Sequence, residues 1–88
     1  MNEFQIGDYV SSLCGRDAGC LYVICDIKDG YAFLLDGKGK TIDNPKKKKF
    51  KHIKSMNKNC SVLAEKFMSG KVVYDSELRK WIRNFETL

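Results

Sequence analysis

A mainly β fold is what this sequence predicts: a small barrel of five short strands followed by two short α-helices. Three observations predict it. Glycine-containing turns recur at Gly15–Gly19, Asp29-Gly30 and Asp36-Gly37, each between short apolar runs. Those runs are rich in β-branched and aromatic residues, as in Val23–Ile27 and Tyr31–Leu35. After Met56 the spacing of apolar residues lengthens to that of a helix. The 88 residues are 43% hydrophobic, enough for one compact core near the small end of what folds unaided.

The central unit is Gly7–Lys28. Its apolar runs, Tyr9–Cys14 and Leu21–Ile27, flank the connection Gly15-Arg16-Asp17-Ala18-Gly19. This reads as a β-hairpin with a five-residue loop and Arg16 at its tip. The second run has little polarity, which suits a strand buried on both faces. Lys28-Asp29-Gly30 turns the chain into a third strand, Tyr31–Leu35. Asp36–Gly39 turns it again into a short fourth strand, Lys40–Ile42. Pro45 interrupts pairing, because proline has no N–H to give a ladder. Lys46–Lys49 then runs into a last strand, Phe50–Ser55. The core is expected to include Val10, Leu21, Val23, Ile27, Phe33, Leu35, Ile42 and Ile53.

Two helices complete the chain. Asn59 or Ser61 caps the first, which runs to about Ser69 with Val62, Leu63 and Phe67 on one face and Gly70 as its stop. Asp75 caps the second, which runs to about Phe85. In it Leu78, Trp81, Ile82 and Phe85 form an apolar stripe, with Arg79, Lys80 and Arg83 elsewhere. Such stripes usually build core, so this one is expected to pack on the barrel; a partner-binding helix is the alternative. The division is residues 1–56 for the barrel and 57–88 for the helical extension.

Charge is unevenly spread. The chain carries +5 overall, but residues 1–37 balance to −4, residues 38–58 to +8 and residues 59–88 to +1. Solubility needs no such concentration, and a local cationic surface is the footprint expected for a polyanion partner. Four cysteines, Cys14, Cys20, Cys25 and Cys60, lack the paired spacing of a zinc site and read as reduced, buried or half-buried thiols. His52, the only histidine, reads as a strand residue or phosphate contact. No catalytic set of Ser, His and Asp appears, nor a phosphate-gripping Gly-rich loop that leads into a helix. The expectation is a protein without cofactor, metal or enzymatic activity. With neither a signal peptide nor a membrane-length apolar run, it is expected to be cytoplasmic.

The ordered motifs resemble a known family. Gly7-Asp8-x-Val10, then Gly15-Arg16-Asp17-Ala18-Gly19, then the Val23–Ile27 strand is similar to the KOW motif of ribosomal and transcription-factor RNA-binding domains. Gly19 falls at the motif's key glycine. Gly15–Gly19 and the Val23–Ile27 strand resemble in particular one branch, the large-subunit ribosomal protein fourteen-e type. The Asp36-Gly37 turn, Pro45–Lys49 and Lys51-His52-Ile53 are similar to small stand-alone bacterial members. Ala18 and Cys20 stand where many members have lysines, and Tyr22 where many have a second glycine. The resemblance spans roughly residues 5–56. It implies a Src-homology-3-like barrel that binds RNA, most of all ribosomal RNA of the large subunit, and that meets ribosomal proteins. The expected RNA-binding residues are Gly15, Arg16, Asp17, Gly19, Lys38, Lys40, Lys46, Lys47, Lys48, Lys49, Lys51, His52 and Lys54. Tyr9, Tyr22, Tyr31 or Phe50 would stack an unpaired base wherever they are exposed. Two other readings stand beside this one: a protein-interaction module that uses the barrel edge or the C-terminal helix, and a DNA-binding accessory factor.

Overall fold

In the computed structural model, which describes residues 4–86, five strands form one antiparallel sheet. They are β1 (Asp8–Ser12), β2 (Leu21–Lys28), β3 (Tyr31–Leu35), β4 (Lys46–Lys49) and β5 (Ile53–Asn59). A 3-10 turn at Phe50–His52 joins β4 to β5, and two helices follow, α1 (Ser61–Ser69) and α2 (Asp75–Glu86). The strand order is β4-β3-β2-β1-β5, so β4 and β5 are the two edges. Among the described residues no helix is long and apolar enough to cross a membrane.

Both faces of the sheet bury apolar side chains. On one, Phe4, Val10, Tyr22, Ile24, Ala32, Leu34 and Ile53 cluster, with Ile27 and Phe50 beside them. On the other, Tyr9, Val23 and Leu35 pack against Cys60, Leu63, Val73, Leu78 and Ile82. Val23 and Ile24 are therefore both fully buried, which is why β2 reads as a nearly unbroken apolar run. A bulge at Cys25 resets the alternation: Ile24 pairs with Leu34 and Ile27 with Ala32, so both isoleucines share a face. Asp29 and Gly30 both take positive φ, giving the tight two-residue hairpin between β2 and β3.

Several expectations need correction. Lys40–Ile42 is not a strand. Asp36 Oδ1 accepts the N–H groups of Lys38 and Lys40 at 2.8 and 2.9 Å, curling this stretch into a loop with one isolated bridge, Thr41 to Asn44. Ile42 is accordingly 46% exposed. The lysine run itself is a strand, and the 3-10 turn after it carries the chain from one sheet edge to the other. β1 ends at Ser12 rather than Cys14, so the hairpin loop spans residues 13–20. β5 covers Ile53–Asn59 rather than the expected Phe50–Ser55. Of the expected core, Val10, Val23, Leu35 and Ile53 are buried, whereas Leu21, Ile27 and Phe33 are only half-buried.

The helices start differently from the sequence reading. Cys60 occupies the N-cap position of α1, because Asn59 spends its side-chain amide on the Ile6 carbonyl and the Asp8 carboxylate. Gly70 ends α1 in the left-handed conformation, as expected. Asp75 is the first residue of α2 rather than its cap: Leu78 N–H already bonds the Tyr74 carbonyl. On α1, Val62 faces solvent instead of sharing the buried face with Leu63. The α2 stripe is spent on the sheet. Leu78 and Ile82 are buried, Trp81 and Phe85 are half-buried against the same cluster, and Phe85 stacks on Tyr9 at 4.5 Å. Arg79 fastens α2 to the 36–45 loop by donating to the Gly37 carbonyl at 2.6 Å. Lys66 joins the two helices through Glu77 at 2.7 Å; that hydrogen bond, above all, holds the Glu77 carboxyl below its usual range.

Candidate nucleic-acid interface

The 13–20 loop is shaped by one carboxylate. Gly15 and Gly19 take φ near +90°, which L side chains rarely adopt, and this folds the loop back so that Gly19 N–H reaches the Ser12 carbonyl at 2.8 Å. Asp17 turns inward from the tip. Its carboxylate accepts the Tyr22 hydroxyl at 2.9 Å and the Lys48 ammonium at 2.9 Å, with the Ser12 hydroxyl 3.0 Å away. Burial alone would raise this carboxyl. The hydrogen bonds from Lys48, Tyr22 and Ser12, with the Lys48 charge, outweigh it and hold the group at about 2. Burial, and then the bond to Asp17, push the Tyr22 phenol upward, so it remains a donor at neutral pH.

Lys48 completes the clamp. Its ammonium donates to Asp17 and also lies 2.6 Å from Ser12 Oγ and 2.7 Å from the Cys14 carbonyl, and its side chain is only 9% exposed. Lys46, two residues back on the same face of β4, reaches to 3.9 Å from Asp17. β4 and β1 are separated by two strands in sheet order, so these contacts span the concave side of a curled sheet.

The other expected residues distribute around this clamp. Gly15, Arg16 and Gly19 are exposed at the loop tip, which is held against β4 by Asp17. Lys47 and Lys49 point to the opposite face of β4 and are exposed, as is Lys51 in the 3-10 turn. Half-buried His52 accepts the Leu13 N–H on its backbone carbonyl, joining that turn to the hairpin loop. Lys38 is exposed and Lys40 half-buried in the 36–45 loop. Lys54 is exposed on β5, where it pairs with Ser11. The structure thus brings Arg16, Lys46 and Lys48 around one loop. Asp17 and Lys48 face each other, not solvent.

The aromatic residues separate clearly. Tyr9 and Tyr22 are buried, and Phe50 is half-buried with its ring 5.3 Å from that of Phe4. Tyr31 is half-buried, with Lys47 Nζ 4.4 Å above its ring centre. Phe33 follows on the same face of β3, opposite Lys47 in register. Phe33, expected in the core, is half-buried instead. Strand alternation sets Tyr31, Phe33 and Leu35 on one face; the helices' coverage of Leu35 and not of Tyr31 separates them.

Cys14 and Cys20 are exposed in the loop, contrary to the expectation of buried or half-buried thiols, whereas Cys25 is half-buried and Cys60 buried. Among the described residues no three of His, Cys, Asp and Glu come together as metal ligands would. The chain matches no protein-family model, and no curated protein matches it in sequence.

Proposed function

We propose that this chain is a non-enzymatic, cytoplasmic RNA-binding domain of the KOW type, associated with the ribosome and bound to ribosomal RNA of the large subunit. In this reading the curled sheet is a Src-homology-3-like barrel. Its support is the reach of Lys48 over the concave face, the 3-10 turn between β4 and β5, and the bulge in β2.

One observation carries the functional reading: the Asp17 clamp holds the Gly-Arg-Asp-Ala-Gly loop against the lysine strand. Two cationic elements far apart in sequence therefore meet: Arg16 and Lys46 lie at the clamp, and Lys47 and Lys49 stand on the opposite face of the same strand. Lys46, Lys47, Lys49 and Lys51, with Arg16, neutralise phosphates and release counterions. Lys38, Lys40 and Lys54 extend the field. Lys48 and Asp17 act indirectly, by keeping Arg16 and the glycines of the loop in position. The competing protein-interaction reading loses one of its two surfaces, since the α2 stripe packs on the sheet.

The test is salt dependence. In the triple variant Lys47→Glu, Lys49→Glu, Lys51→Glu, affinity for ribosomal RNA falls across sequences. The log–log salt slope flattens by about 2 to 3, at about 0.7 to 0.9 per phosphate neutralised. The fold survives, because exposed charges contribute little to stability. A folded triple variant with wild-type affinity and slope refutes the proposal. So does equal binding to duplex DNA in competition, or failure of the protein to sediment with large ribosomal subunits at low salt.

A further inference from the structure

The face of β3 and β4 that the helices cover only in part carries more than charge. Tyr31, Phe33, Lys47 and Lys49 all lie on it by register, since Tyr31 pairs with Lys49 and Phe33 with Lys47. Lys28 joins them as the partner of Tyr31 on β2. Phe33 is the shared wall of two adjoining hollows. One is lined by Lys28, Asp29, Tyr31 and Lys47. The other includes Asp26, Ile42, Pro45, Phe67 and Lys71. Ile42, 46% exposed, thus extends the aromatic track instead of serving the core.

We infer that this track binds single-stranded RNA, with one unpaired base stacked on Tyr31 and another on Phe33, and with phosphates held by Lys28, Lys47, Lys49 and Lys71. The inference rests on the RNA-binding reading above and names the kind of RNA. Spacing selects the single strand. Side chains two residues apart on a strand stand about 6.8 Å apart. Bases in a duplex are stacked about 3.4 Å apart, too close for each to find its own ring. A splayed strand has no such constraint. Charge points the same way: four lysines stand against two carboxylates, Asp26 and Asp29. The Lys47 ammonium now covers one face of Tyr31. That exposed cation–π contact is worth about 2- to 5-fold in an equilibrium, whereas a stacked base is worth about 5- to 100-fold. The base therefore displaces the ammonium, which is freed for a phosphate.

The experiment titrates the intact protein with a uridine homopolymer of about ten nucleotides and, separately, with a duplex RNA hairpin. Tyr31→Leu and Phe33→Leu keep apolar bulk and remove the ring; Tyr31→Phe and Phe33→Tyr keep the ring. We expect each Leu variant to bind the single strand about 5- to 100-fold more weakly with an unchanged salt slope, and to leave duplex affinity within about 2-fold. The ring-keeping variants should match wild type. In wild type, base protons should shift upfield and show proton contacts to the Tyr31 ring by NMR, a readout that holds even if a Leu variant fails to fold. If folded Leu variants bind the single strand as wild type does, or the shifts are absent, the inference falls and the patch passes to a protein partner. In that case the duplex titration still reports on RNA binding. If wild type binds neither RNA, both readings fall together.

Discussion

Replacing Asp17 by Asn asks whether the hairpin loop is held by charge or by its turns alone. The carboxyl sits at about 2 rather than 3.8 because Lys48, Tyr22 and Ser12 together outweigh its burial. At about 1.4 kcal/mol per pH unit, this displacement is worth about 2 to 3 kcal/mol of folding stability. The Asp17 side chain is only 14% exposed, so solvent screens little of it. The folded value lies below the unfolded one. The contribution is therefore complete above about pH 5 and is lost as pH falls from there through 2. Asp17→Asn keeps an acceptor for one hydroxyl but leaves the Lys48 ammonium, 9% exposed, without its counter-charge. Urea unfolding at pH 7, followed by Trp81 fluorescence, should show a loss of about 2 kcal/mol, which is about 8 to 16 °C in Tm for a domain of this size. Between pH 5 and pH 2 the wild-type stability should fall towards that of the variant. Adding Lys48→Met should recover part of the loss, with a coupling of about 1 to 3 kcal/mol in the double-mutant cycle. A variant within about 0.5 kcal/mol of wild type at pH 7 would show that the clamp is incidental, as would two stability curves that stay parallel down to pH 2.

Two further outcomes follow from the packing. Gly37→Ala should cost more than about 2 kcal/mol in the same urea assay, since a Cβ there meets the Asp75 carbonyl oxygen at 2.6 Å with φ already at +75°. Gly19→Ala, with nothing within 4 Å, should cost only the left-handed backbone strain, about 1 to 2 kcal/mol. Among the cysteines, Cys14 and Cys20 should react with a thiol reagent in the native protein at about pH 8, and Cys25 and Cys60 only after unfolding. Burial, and then Asp26, push the Cys25 thiol up to about 11, so mass mapping of fast modification at Cys25 would contradict this assignment.

Features under local control were legible from the residues alone. Asp29-Gly30 needs only the positive φ its residues tolerate, and Gly70 needs only to stop a helix, so both features appear where the sequence puts them. The apolar run Leu21–Ile27 and the stripe Leu78–Phe85 announce burial because hydrophobic periodicity reports which faces leave water. The concentration of charge in residues 38–58 is likewise a property of the chain. What each side chain in those elements does depends on long-range packing. Lysines 46–49 are chemically alike, yet β-strand alternation sends Lys48 into the Asp17 clamp and Lys47 out over Tyr31. Tyr31, Phe33 and Leu35 share one face, and the helices bury Leu35 while leaving the two rings half-exposed. Whether a residue holds a loop, fills a core or meets a ligand depends on partners 31 to 42 positions away, as for Lys48 with Asp17 and Arg79 with Gly37. Periodicity and turn chemistry act over a few residues and carry no information about such partners.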